Sequence, residues 1–195
     1  MQGYYDHYPT AVLPRPLVLI GFLGTQAAQT AQALCALTGL PLEDVERAVE
    51  GSAGRSISHL WLRAGEATVR RQEAAALRRA LTRRPHAVIA AGDGALLDPD
   101  VRAEVLAQAR VVHLDAPITE LARRVRRQLD EKPGSLPQFM QKGAVVTAMG
   151  LQGLLDARAP GYAEADHRID ISGLRPTQVA RRLIDQLDLL GDPAP

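Results

Sequence analysis

"LVLIGFLGTQAAQTAQALCALTGL", residues 17–40, sets the fold. An apolar, β-rich run gives way to a turn holding Gly21 and Gly24, and then to an Ala/Leu pattern of helical period. A strand that enters a helix through a short glycine turn leaves unpaired N–H groups and a positive dipole end at the turn, where a phosphate can sit. Tight binding needs more: in the pattern G-x-x-x-x-G-K-[ST], the lysine reaches the β and γ oxygens and the hydroxyl binds magnesium. Aligned on Gly21, the second glycine is Gln26, the lysine Ala27 and the hydroxyl Ala28. Aligned on Gly24, the same positions are Gln29, Thr30 and Ala31, so neither register supplies the lysine.

The rest of the chain repeats the strand-to-helix alternation. Apolar runs at 16–23, 86–92, 109–116 and 167–172 are separated by helical patterns such as "GEATVRRQEAAALRRALTRR", "DPDVRAEVLAQA", "ITELARRVRRQL" and "RPTQVARRLIDQLDLL". Fully apolar strands between amphipathic helices call for a parallel sheet covered on both faces, a three-layer α/β domain. The domain is expected over 17–190. Residues 1–16, closed by Pro14 and Pro16, read as a flexible N-terminal arm, and residues 191–195 as a tail. Ligands of such sheets sit beyond the strands' carboxyl ends, here the turns after residues 20, 90 and 115.

Composition narrows the classes. With 195 residues, 46% hydrophobic and 23% charged, the chain is an ordinary globular domain, and a formal net charge of +1 points to no charged partner. No run of 18 apolar residues or leader pattern occurs, so no membrane partner and a cytoplasmic home are expected. The single Cys35 reads as a small apolar filler, and the histidines lack metal-ligand spacing, so no metal site is expected from them. The basic runs "RRALTRR" and "RRVRRQ" read as solvated helix faces rather than a nucleic-acid patch. Trp61 reads as a core aromatic.

Taken in order, these segments resemble the shikimate kinase family from about residue 17 to 188. "LVLIGFLG" is similar to the family's first strand and loop, "GLPLEDVERAVEGSAGRSI" to its Asp-x-Asp segment, and "GEATVRRQE" to its Gly-Glu-x-x-x-Arg-x-x-Glu stretch. "VIAAGDGALL" resembles its triple-glycine loop, "VVHLDAPITELARRV" its next strand and helix, and "LLDARAPGYAEADHRID" its Arg-x-x-x-Tyr segment. The resemblance implies a P-loop kinase fold with a small substrate-binding helical subdomain and a lid. It also implies transfer of the γ-phosphoryl of ATP, with magnesium, to the 3-hydroxyl of shikimate in aromatic amino-acid biosynthesis.

Residue by residue, the resemblance makes Asp44 the catalytic carboxylate if the chain is active. Glu46, Arg70, Gly92, Asp93, Gly94 and Arg158 become the substrate side, with Arg70 and Arg158 as the carboxylate-binding arginines. Gly21, Gly24, Gln26, Ala27 and Ala28 form the degenerate nucleotide loop. The departures fall mostly on the ATP side: the loop lacks its lysine and hydroxyl, the lid reads "DEKPGSLPQFMQKG" without the family's arginine, and Asp93 replaces the middle glycine. Lys132 and Lys142, the only lysines, are the candidate stand-ins. The expectation is a pseudoenzyme with impaired ATP binding that keeps a pocket for a small carboxylate such as shikimate and acts through a homodimer or partner enzyme. The alternatives are an active shikimate kinase with an unusual phosphate clamp, or a fold recruited to another small metabolite or partner protein. ATP and magnesium are cofactors only if it is active.

Overall fold

The structure is a computed structural model that describes residue 11, residues 13–132 and residues 146–190. Lys142 and most of the expected lid lie outside the described residues. The described strands are β1 (Leu17–Gly21), β2 (Leu42–Asp44), β3 (Val88–Ala90), β4 (Arg110–Asp115) and β5 (His167–Asp170). They form one parallel sheet in the order β2-β3-β1-β4-β5, with Leu17 level with Val88 on one side and Arg110 on the other. Every residue of β1 is buried, and because successive side chains point to opposite faces, both faces of the sheet are covered.

The helices are α1 (Ala27–Thr38), α2 (Val45–Ala53), α3 (Ile57–Ala64), α4 (Glu66–Arg83), α5 (Pro99–Gln108), α6 (Ile118–Glu131), α7 (Ala148–Ala163) and α8 (Pro176–Leu187). Their ends follow local chemistry. The Asp98 carboxylate accepts from the N–H groups of Asp100 and Val101, with Pro99 as the first helical residue of α5. Ser56 caps α3 and Asp44 caps α2 in the same way, while α1 stops at Gly39, whose φ of 71° only glycine adopts without strain. Helix α1 packs on α8 and on β1 and β3, and the short helices α2 and α3 pack on α4 as a small helical unit beside the sheet.

Four elements, β2, α2, α3 and α7, fall outside the runs named from the sequence. Strand β2 is an edge strand with the sequence Leu-Glu-Asp, half-buried throughout, so it shows no apolar run. Helices α2 and α3 are short, and α7 carries Pro160 inside it. Near the start of the chain the domain begins earlier than residue 17. Ala11 and Leu13 are buried in the core, the Ala11 N–H donates to Thr38 O, and Leu13 O lies 2.6 Å from His86 Nδ1. The basic run of α6 is also not wholly solvated. Arg124 is buried, and its Nη2 donates to the carbonyls of Ile171 (3.0 Å) and Leu174 (3.2 Å), tying α6 to the turn after β5. No helix among the described residues is long and apolar enough to cross a membrane.

Candidate functional site

The carboxyl ends of β1, β2 and β3 open on a cleft of about 810 Å³. Its place fits the sheet order: the chain fills one side of β1 with β2 and β3 before crossing to β4 and β5, and such switch points are where open α/β sheets bind ligands. The turns after β1 and β3 line it as expected, but the turn after Asp115 does not; Asp115 is paired with Arg168 instead.

One wall is the loop Gly21–Gln26. A side chain at Gly21 would come within 2.5 Å of Thr25 Oγ1 and 2.9 Å of Leu114 O, and Gly24 has φ 84°, so both glycines are required for the turn. Gln26 stands at the start of α1 with φ 59° and ψ 42°, a left-handed conformation that costs a non-glycine residue about 1–2 kcal/mol. The backbone thus keeps a turn made for glycine. Ala27 and Ala28 open the helix with no cation and no hydroxyl. Neighbouring hydroxyls do not compensate: Thr25 Oγ1 donates to Phe22 O at 2.8 Å, and Thr30 is fully buried in the helix. The start of α1 therefore offers a phosphate its backbone N–H groups and neither a side-chain cation nor a free side-chain hydroxyl. Lys132 is exposed at the end of α6 and is not part of the cleft lining.

The opposite wall holds the expected substrate residues, and their arrangement is not that of an open anion pocket. Arg70 and Arg158 do converge, but on Asp93: Arg158 Nη2 is 2.7 Å from Asp93 Oδ2, and Arg70 Nη1 is 3.6 Å from Asp93 Oδ1. Arg70 also pairs with Glu73 at 2.9 Å and Glu66 at 3.4 Å, while Arg71 faces solvent. A methyl group at Gly94 would overlap the Arg70 guanidinium, so glycine there is what lets Arg70 lie across the turn. Trp61 is half-buried: it packs against the core, as expected, and also lines the cleft, with the Arg70 guanidinium 5.3 Å from its ring centre. The Arg158 guanidinium lies 5.7 Å from the Phe22 ring centre and its Nη1 donates to Leu154 O at 2.7 Å.

Two residues close the quoted Gly-Glu-x-x-x-Arg-x-x-Glu and Arg-x-x-x-Tyr segments without a site role of their own there. Glu73 is one helical turn beyond Arg70, and Tyr162 is four residues beyond Arg158, spacings that put each pair on one helix face. Tyr162 O–H donates to Asp93 O at 2.9 Å and its ring stacks on His113 at 4.3 Å, fixing the Gly92–Gly94 turn from below. Burial and the Asp93 carboxylate push the Tyr162 phenol well above its ordinary pKa, so it remains a donor. Of the β2–α2 carboxylates, Asp44 is engaged as a helix cap, accepting from Arg47 N at 3.1 Å, and Glu50 accepts from Ile57 N at 2.9 Å. All three line the cleft, and Glu46 is the one without a backbone N–H partner among these bonds. Cys35 lies half-buried in α1 with its thiol pushed up to about 11 by burial, which leaves it unreactive.

Glu46 is exposed to solvent at the cleft, with Glu73, Asp44, Asp93 and Glu50 near enough to act on its charge. Desolvation first, then the charges of Glu73, Asp44, Asp93 and Glu50, raise its pKa from 4.5 to about 7. Between those values the folded state holds a proton that the unfolded chain has released, so this group's contribution to stability falls as pH rises from 4.5 to 7. His113 acts oppositely. Burial lowers it from 6.5 to about 4, the unfolded chain binds the extra proton, and stability rises with pH from 4 to 6.5. Glu46→Gln removes the first slope and keeps the second, so its melting temperature is expected to climb more steeply with pH than the wild type's between pH 4.5 and 6.5. Parallel melting curves for the two proteins would contradict the placement of Glu46.

The parallel sheet, the glycine turn into α1 and the cleft at the switch point together define a P-loop kinase fold. The family model for shikimate kinase matches residues 28–188, beginning just past the Gly21–Ala27 loop. The chain is 36% identical over 166 residues to a shikimate kinase of Caulobacter vibrioides, covering 85% of this chain and 78% of the relative. It is 33% identical over 189 residues to one from Salinibacter ruber, covering 93% and 88%. The chain belongs to the shikimate kinase family. Among solved structures, it superposes on a shikimate kinase from Acinetobacter baumannii in complex with shikimate with a TM-score of 0.76 at 23% identity, over 89% of this chain and 92% of that one. A shikimate kinase from Aquifex aeolicus gives a TM-score of 0.70 at 23% identity, over 91% and 99%.

Proposed function

We infer that this chain is a member of the shikimate kinase family that has lost effective phosphoryl transfer from ATP and uses the retained cleft to bind a small polar ligand. The observation that carries the reading is the start of α1, where a left-handed Gln26 is followed by Ala27 and Ala28 in place of a glycine, a lysine and a hydroxyl. Phosphoryl transfer relies on positioning and charge stabilisation, and removing one preorganised donor costs about 3–4 kcal/mol in the barrier. Both the cation and the hydroxyl are missing, and the lysine at the end of α6 does not line the cleft. Glu46, Arg70, Asp93 and Arg158, from α2, α4, the turn after β3 and α7, line one cleft, which favours a ligand pocket. The solved relative with bound shikimate supports a ligand of similar size and hydroxylation.

The test is turnover by the purified full chain with ATP, magnesium and shikimate, run beside the Caulobacter vibrioides relative. The expected rate is at least about a hundredfold lower than the relative's. Turnover within about tenfold of the relative overturns the reading.

A further inference from the structure

The two arginines that face the cleft already hold a carboxylate, and it belongs to the chain. Each Asp93 carboxylate oxygen is turned to a different guanidinium, Oδ2 to Arg158 at 2.7 Å and Oδ1 to Arg70 at 3.6 Å. The arrangement is built rather than incidental. Tyr162 O–H fixes the Asp93 carbonyl at 2.9 Å, Gly94 leaves the space in which the Arg70 guanidinium lies, and Arg158 is only 7% exposed and anchored to Leu154 O. The aspartate side chain is 15% exposed, so it is neither the solvent-facing turn residue nor the unpaired charge that its position in a glycine loop suggests.

We propose that Asp93 is the resident occupant of the cleft's anion subsite, so that the ligand of this pocket is a hydroxylated compound without a carboxylate. The charge inventory supports it. Arg70 answers to Glu66, Glu73 and Asp93 together, and Asp44, Glu46 and Glu50 also line the cleft, giving six carboxylates against two guanidinium groups. A ligand carboxylate entering between Arg70 and Arg158 would have to displace Asp93 or lie against it, and either course leaves one buried anion short of a partner. Hydroxyl groups meet no such conflict: the same carboxylates accept hydrogen bonds from them. Asp93 is thus a specificity-determining residue, selecting against acids that the arginine pair would otherwise attract.

This inference rests on the cleft being the ligand site, as in the proposed function, but not on the loss of phosphoryl transfer. Its test is calorimetric titration of shikimate and of its methyl ester into the full-length wild type, Asp93→Gly and Asp93→Asn. The asparagine variant keeps the shape of the turn and removes only the charge, guarding against a glycine variant that loses its fold. Shikimate is expected to bind both variants at least about tenfold more tightly than the wild type, and the wild type is expected to favour the ester over the acid. Equal shikimate affinity in all three proteins, or no measurable binding to any of them, overturns the proposal. Turnover of the wild type with ATP would refute the functional reading alone, because the comparison of shikimate with its ester across the variants is read without nucleotide.

Discussion

Gln26→Gly, Ala27→Lys and Ala28→Ser, made together, are expected to raise the affinity of the chain for ADP with magnesium by roughly a hundredfold, measured by calorimetry. Much of the backbone that a phosphate site needs is already in place. The turn through Gly21 and Gly24 is intact, α1 presents its N-terminus to the cleft, and the left-handed backbone at Gln26 is one that glycine adopts freely. What is missing is one cation and one hydroxyl, and a hydrogen bond to a charged group is worth about 1.5–3 kcal/mol. The stability of the triple variant should be close to that of the wild type, because relief of strain at position 26 offsets the greater freedom of an unfolded glycine. If the restored loop binds ADP no better than the wild type, the side chains at the start of α1 are not what limits nucleotide affinity.

Arg158→Ala is expected to lower unfolding stability by about 3 kcal/mol, seen as a fall in the urea midpoint with an unchanged slope. Three losses add at this position. The Asp93 carboxylate keeps only the longer contact to Arg70, the Leu154 carbonyl loses its side-chain donor, and the packing of the guanidinium on Phe22 disappears. The double variant Asp93→Asn with Arg158→Met should recover a large part of that loss, since it removes the buried anion along with its partner. A double variant as unstable as Arg158→Ala would show that packing, not the ion pair, dominates. Phe22 would then be the next residue to replace.

The parts of the fold that are legible in sequence are those where burial is uniform. Strands β1, β3 and β4 are apolar because both faces of a central parallel sheet are covered, and α4, α6 and α8 show their wet and dry faces as period. Strand β2 is hidden because an edge strand of three residues need not be apolar, and α7 because Pro160 interrupts the pattern of a helix that nevertheless runs to Ala163. In the site, the missing lysine is visible at once, since absence from a fixed spacing requires no geometry. The role of Asp93 is not. Its neighbours Arg70 and Arg158 lie 23 residues before it and 65 after it in the chain, and only the packing of α4 and α7 against the turn after β3 brings both guanidinium groups to one side chain. Trp61 shows only half of its place for a related reason: an amphipathic short helix gives an aromatic a dry side without saying that the residue also lines a cleft.

A group attached to the backbone of its own binding site competes with dissolved ligands at an effective concentration set by geometry alone, roughly millimolar even for loose tethers. The Asp93 turn, pinned by the Tyr162 hydroxyl, is far from loose. Metabolic acids at micromolar levels would leave Arg70 and Arg158 saturated by the tethered carboxylate, whatever the supply, and occupancy of the rest of the cleft would follow only compounds that do not ask for those two arginines.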